Sequence, residues 1–167
     1  MCIRDRVEQE PERADLRHDL ALCLIRVGDL YSALGSPDRA RNHYEEALTT
    51  DEGLLAREPE RADVRRNLVA LVQRMARVDP ENVVTWSNQA IDLLRARLAI
   101  EPNDIIAQRD LAIALLMLVQ ALGSQAEPTR IATLRGEALE LLQDLHGRGS
   151  LEARYQPVLE RLAEAKG

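Results

Sequence analysis

Glu-Pro dipeptides at Glu10-Pro11, Glu58-Pro59 and Glu101-Pro102 stand at spacings of 48 and 43 residues. Nine residues after each proline stands a leucine (Leu20, Leu68 and Leu111), and the flanks LRHDLALCL, VRRNLVALV and AQRDLAIAL keep the same register. Ala47 and Ala138 lie 36 residues past their proline but Ala90 only 31, so the middle unit is five residues shorter, most economically in a turn at Asp79-Pro80. Registration at several anchors marks a repeat, and periods of roughly 20–50 residues imply a solenoid in which each unit is stable only against its neighbours.

Residues 24–47 show what one unit does. Leu24, Val27, Gly28 and Tyr31 fall three or four apart and share a helix face. Gly35-Ser36-Pro37 then stops one helix and starts another, with glycine suited to the left-handed position, serine to the N-cap and proline to the first helical position. Ala40, Tyr44 and Ala47 form the facing stripe. Two antiparallel helices follow, approaching closely at Gly28, Ala40 and Ala47, with Tyr31 and Tyr44 filling the space beside them. The same reading along the chain predicts helices at roughly 13–34, 37–57, 61–78, 81–100, 104–122, 128–146 and 151–165. Gly53 weakens the second of these by about 1 kcal/mol relative to alanine without ending it. Gly147-Arg148-Gly149-Ser150 breaks the chain with a cap at Ser150, and Pro157 bends the last helix or delays its start. That helix carries Leu151, Tyr155, Val158, Leu159 and Leu162 on one side, as a terminal cap requires.

Leu24, Val27-Gly28, Tyr31, Ala40, Tyr44 and Ala47 together resemble the tetratricopeptide repeat (TPR) at that family's spacing. Leu115, Leu118-Val119, Leu122 and Ala138 keep the spacing in the third unit, with Val119 in the glycine slot and Arg135 in the second aromatic slot. The second unit departs furthest: Val72, Met75-Ala76, Val83 and Ala90 fit, while Ser87 takes the aromatic slot beside Trp86. The resemblance covers residues 7 to about 149 and is similar to the longer bacterial repeats. It implies an all-α right-handed solenoid of antiparallel helix pairs, with repeats at 11–58, 59–101 and 102–149 and a capping helix at 150–167. It also implies a concave groove lined by first-helix residues: Leu22, Ile25, Asp29 and Ser32; Ala70, Gln73 and Arg77; Ile113, Leu116 and Gln120. The Lys and Asn with which one branch of the family grips a peptide carboxylate are absent there. A mixed apolar-polar groove for a helix or an extended peptide is therefore expected.

Composition narrows the function. The formal charge is −6, with Lys166 the only lysine, which disfavours a phosphate backbone as partner. The longest apolar run, Leu111 to Val119, is nine residues, against about 20 for a bilayer. One Trp, three Tyr and no Phe suit Leu/Ala-rich helix pairs. Cys2 and Cys23 make neither a disulfide framework nor a metal site, and Cys23 reads as a small buried residue. His18, His43 and His146 have no partners at metal-ligand spacing, and no nucleophile or phosphate-loop motif occurs. Acidic pairs such as Asp51-Glu52 read as solvated faces. Arg17, Arg65, Arg66 and Arg109, in corresponding first turns, read as partners of Asp15, Asp19, Asp63 and Asp110 or of the acidic end of the preceding unit, in preference to an anion-binding stripe.

The expected function is a non-catalytic, cofactor-free, metal-free interaction scaffold, cytoplasmic, binding a protein or peptide, with no nucleic-acid or membrane partner. The alternative of another class is a C-terminal regulatory arm of a larger bacterial signalling enzyme, a kinase or ATPase. Met1-Cys2-Ile3-Arg4-Asp5-Arg6 resembles a translated transposon adapter from sequencing libraries and is set aside from fold reasoning. Residues 7–10 then read as the tail of a truncated upstream repeat, whose bared edge is expected to self-associate.

Overall fold

The computed structural model describes residues 3–123 and 126–164, and those residues are helical without strands. Eight α-helices follow in order: α1 (Ile3–Gln9), α2 (Ala14–Ala33), α3 (Pro37–Arg57), α4 (Ala62–Val78), α5 (Val83–Ile100), α6 (Ile105–Leu122), α7 (Pro128–Gly147) and α8 (Gln156–Glu164). The chain divides into two compact units, one ending at Trp86 and the other beginning at Ser87.

The segments at Glu10-Pro11, Glu58-Pro59 and Glu101-Pro102 fold into one and the same turn. The amide of Glu10, Glu58 or Glu101 closes the preceding helix at 2.8–2.9 Å, and the amide three residues on returns to that glutamate's carbonyl at 3.1–3.2 Å. The residue before the next helix is extended each time: Arg13 (φ −73°, ψ 99°), Arg61 (−67°, 90°) and Asp104 (−70°, 99°). Arginine is an unusual helix cap, having no acceptor for the free amides. Here it works through its neighbours. Arg13 Nε donates to Asp15 at 2.8 Å and Nη1 to Glu10 at 3.2 Å; Arg61 repeats this on Asp63 and Glu58 at the same two distances. These clasps put negative charge in the first helical turn, where the helix dipole favours it. Asp15 and Asp63 are thus held by Arg13 and Arg61, not by Arg17 and Arg65 as the sequence suggested. At the third turn Asp104 itself accepts from the Ala107 amide at 3.0 Å and pairs with Arg97.

In the first unit α2 and α3 run antiparallel: Asp29 meets Tyr44, His18 meets Asp51 and Glu12 meets Arg57. Their turn is a Schellman closure, with Gly35 at φ +69° and the Ser36 amide bonded to the Tyr31 carbonyl at 2.9 Å. The core gathers Ala21, Leu24, Ile25, Ala40, Tyr44 and Ala47 with Leu71, Met75 and Val78 of α4. A Cβ on Gly28 would stand 2.4 Å from Tyr44 Cε1, so glycine is required there by the ring itself. Tyr31 is half-buried and stacks on His43, ring centroids 5.4 Å apart. Val27 lies outside the face it was expected to share, 39% exposed, and Cys23 is exposed too. Ile3–Arg6 are part of α1, which packs on α2, and Arg4 pairs with Glu46 of α3 at 2.6 Å. The short turn of the middle unit is at Asp79, followed by a 3-10 turn over Pro80–Asn82.

In the second unit α6 packs on α7 and α7 on α8. By length and composition alone α6 could cross a membrane, yet it buries Leu111, Leu115 and Leu118 in protein and carries the Arg109–Asp110 pair at 2.8 Å. Gly149, at φ +67°, repeats the Schellman closure, with the Ser150 amide on the Leu145 carbonyl at 2.8 Å. Ser150 therefore ends α7 and caps no new helix. The chain makes a 3-10 turn at Ala153–Tyr155 before α8, with Pro157 in its first turn, where a missing N–H costs nothing. Arg109 fixes this segment, bonding Glu152 at 2.6 Å and lying over the Tyr155 ring at 5.9 Å. Leu159 of α8 is buried.

Candidate functional site

One carboxylate joins three helices of the first unit. Asp29 of α2 accepts from the Tyr44 hydroxyl of α3 at 2.7 Å and from Arg74 Nε and Nη2 of α4 at 2.7 and 3.2 Å, while Arg74 Nη1 donates to the Ala70 carbonyl at 3.0 Å. Burial works against the charge on Asp29, but the hydrogen bonds from Arg74 and Tyr44 outweigh it and lower its pKa. Burial and the same bond push the Tyr44 hydroxyl up to about 12. Above this triad opens a cavity of about 240 Å³, lined also by Ser32, Ala33, Arg77 and Val78. Arg77, exposed at its rim, makes no hydrogen bond or ion pair among the described residues.

The groove residues read from the sequence are divided between the two units. Asp29, Ser32 and Arg77 converge on this cavity. Leu116 and Gln120 line a second one, of about 550 Å³, in the other unit, with Ile131, Arg135, Val158 and Leu162. Ile25 is buried in the core and offers no surface, and Leu22 and Gln73 are half-buried and line neither cavity. Tyr44 and Arg74 were missed as site residues. Helical spacing places Tyr44 in the core, and only the fold shows its hydroxyl emerging at the far side.

A second polar cluster corrects the reading of Asp51 as solvated: it is fully buried. Its carboxylate meets His18 Nδ1 of α2 at 3.3 Å and the Asn67 amide of α4, and His18 Nε2 lies 3.7 Å from Asp63. The repeat register held a clue, because the positions equivalent to Asp51 are Leu94 and Leu142, both buried. Burial outweighs the bonds from Asn67 and His18, so the Asp51 pKa is raised. A raised carboxyl binds protons more readily folded than unfolded. Its contribution is therefore complete below the unfolded pKa and lost as pH rises through the folded one. Stability measured by urea unfolding between pH 7 and pH 4 should show the difference between wild type and Asp51→Asn moving in favour of wild type as pH falls, in the His18→Gln background as well. A difference independent of pH would exclude a raised Asp51.

Among the described residues no three His, Cys, Asp or Glu side chains converge as a metal ion would need. No family model matches the chain, and no curated protein matches its sequence.

Proposed function

We propose that the chain is a TPR-like helical-repeat scaffold without catalysis or cofactor, which binds a peptide or partner domain through first-helix residues of its repeats. The observation that supports this reading is the Asp29–Tyr44–Arg74 triad beneath an open cavity. Its three members are locked by one another, which keeps the site preorganised at low entropic cost to a ligand. Ser32 and Arg77 at the rim supply a hydroxyl and a cation for a polar group on an otherwise apolar segment. Ala33 and Val78 supply the apolar wall.

Peptides selected from a random display library against the wild-type chain provide the test. Arg77→Glu should weaken a selected peptide by about tenfold or more, the worth of a charge-assisted hydrogen bond of ~1.5–3 kcal/mol. Gln73→Ala, outside the cavity, should leave affinity unchanged. Equal binding by the wild type and Arg77→Glu would remove this cleft as the binding site.

A further inference from the structure

The cavity of the second unit repeats the cleft of the first without its carboxylate. Counted from Pro11 and Pro102, Asp29, Ser32 and Tyr44 correspond to Gln120, Gly123 and Arg135, and each set lines its own cavity. In the first unit the following helix adds Arg74, which pairs with Asp29 at 2.7 Å. In the second unit the helix after the pair, α8, adds Arg161. An acid and a phenol have become an amide and a second guanidinium, and among the described residues no Asp or Glu lines this cavity. The exchange also makes room. The Tyr44 ring is 2% exposed and fills its place, whereas Arg135 is exposed, and the cavity grows from about 240 to about 550 Å³.

Both cations have bonding capacity to spare. Arg135 makes no hydrogen bond or ion pair among the described residues, and Arg161 makes one, from Nε to the Pro157 carbonyl at 3.1 Å. By contrast, Arg95, Arg97, Arg109, Arg148 and Arg154 of the same unit each meet a carboxylate. Around the two arginines the wall is aliphatic, with Leu116 of α6, Ile131 of α7 and Val158 and Leu162 of α8 all half-buried. Gln120 is the one other lining side chain among the described residues that hydrogen-bonds. A peptide laid along this wall would leave most of its amides without partners, at a cost that a hydrocarbon chain does not incur. The volume lies within the roughly 300–1,000 Å³ of small-molecule sites.

We propose that this cavity binds an aliphatic carboxylate of the fatty-acid type. Arg135 and Arg161 hold its head group, which plays the part of the Asp29 carboxylate in the first unit, and its chain lies along Leu116, Ile131, Val158 and Leu162. The site shares no residue with the cleft and does not depend on its use.

The test is calorimetric titration of the full chain with decanoate below its micelle concentration, which should show saturable binding. Affinity should rise about fourfold per methylene from hexanoate to decanoate. Arg135→Gln and Arg161→Gln should each weaken decanoate about tenfold or more. Gln120→Asp, which returns the internal carboxylate, should abolish binding. All three positions are exposed, and an unchanged far-UV circular dichroism spectrum checks that the helices persist. Absence of saturable binding, equal affinity in Gln120→Asp or in both arginine variants, or equal affinity for decanol would overturn the proposal. So would binding that appears only after deletion of residues 165–167, since the chain's own tail would then be the occupant. Tighter binding of acetylated trileucine than of decanoate would overturn it too, by making the occupant a peptide terminus.

Discussion

Gly28→Ala should destabilise the chain by about 1–3 kcal/mol in urea unfolding, and the same substitution should stabilise it once Tyr44 is alanine. The reversal follows from a single contact. With the tyrosine present, a new Cβ would sit 2.4 and 2.7 Å from the ring's Cε1 and Cδ1, so the ring or the helix must shift out of its packing. The ring is buried at 2% exposure, and its hydroxyl is tied to Asp29 at 2.7 Å. Tyr44→Ala by itself should cost about 3–5 kcal/mol, from lost burial, the cavity left behind and the lost hydrogen bond to Asp29. In that background the methyl that Gly28→Ala introduces enters empty space, and the better helix propensity of alanine returns up to ~1 kcal/mol. Tyr44→Phe separates the terms, since it keeps the ring and forfeits only the hydrogen bond, about 1 kcal/mol. Additive effects of Gly28→Ala and Tyr44→Ala would show that the two residues do not meet.

Much of this architecture was legible because repetition supplies independent readings of one pattern. The expected helices match α2 to α7 to within one or two residues at nearly every end, and Gly53 stays inside α3. Turn chemistry was legible where glycine must take a positive φ, at Gly35 and Gly149. What failed has a common cause. Periodicity shows which residues share a face but not what lies across from it, so Val27 and Cys23 were placed inside although they are exposed, and Asp51 was left outside although it is buried. Register comparison would have flagged Asp51, since a carboxylate among buried leucines must find donors. The cleft was half legible. Asp29, Ser32 and Arg77 came from first-helix positions, whereas Tyr44 and Arg74 belong to it through tertiary contacts that no local pattern encodes. Ile25 shows the limit in the other direction, as the tight approach of the α2–α3 pair draws it into the core.

Asp79→Ala should cost about 2–3 kcal/mol, a large effect for a residue at a turn. Asp79 is 3% exposed and takes the place of the five residues that the middle repeat lacks. Its carboxylate accepts from Trp86 Nε1 at 2.9 Å and from the Asn82 amide at 3.0 and 3.2 Å, with Arg41 Nη1 at 3.7 Å. Removing it strands part-buried donors that water replaces only in part. It also frees Trp86, which packs against the first unit's core. Asp79→Asn retains an acceptor and should lose about half as much. The bond from Trp86, aided by Asn82 and Arg41, overcomes burial and lowers the Asp79 pKa. A lowered carboxyl contributes stability above its unfolded pKa that disappears as pH falls through the folded value. The gap between wild type and Asp79→Asn should therefore narrow in acid, opposite in sign to the trend for Asp51. Trp86 emission reports the same event, shifting at neutral pH in Asp79→Asn. A gap that widened in acid, or an unchanged tryptophan spectrum, would mean that this carboxylate does not anchor the shortened turn.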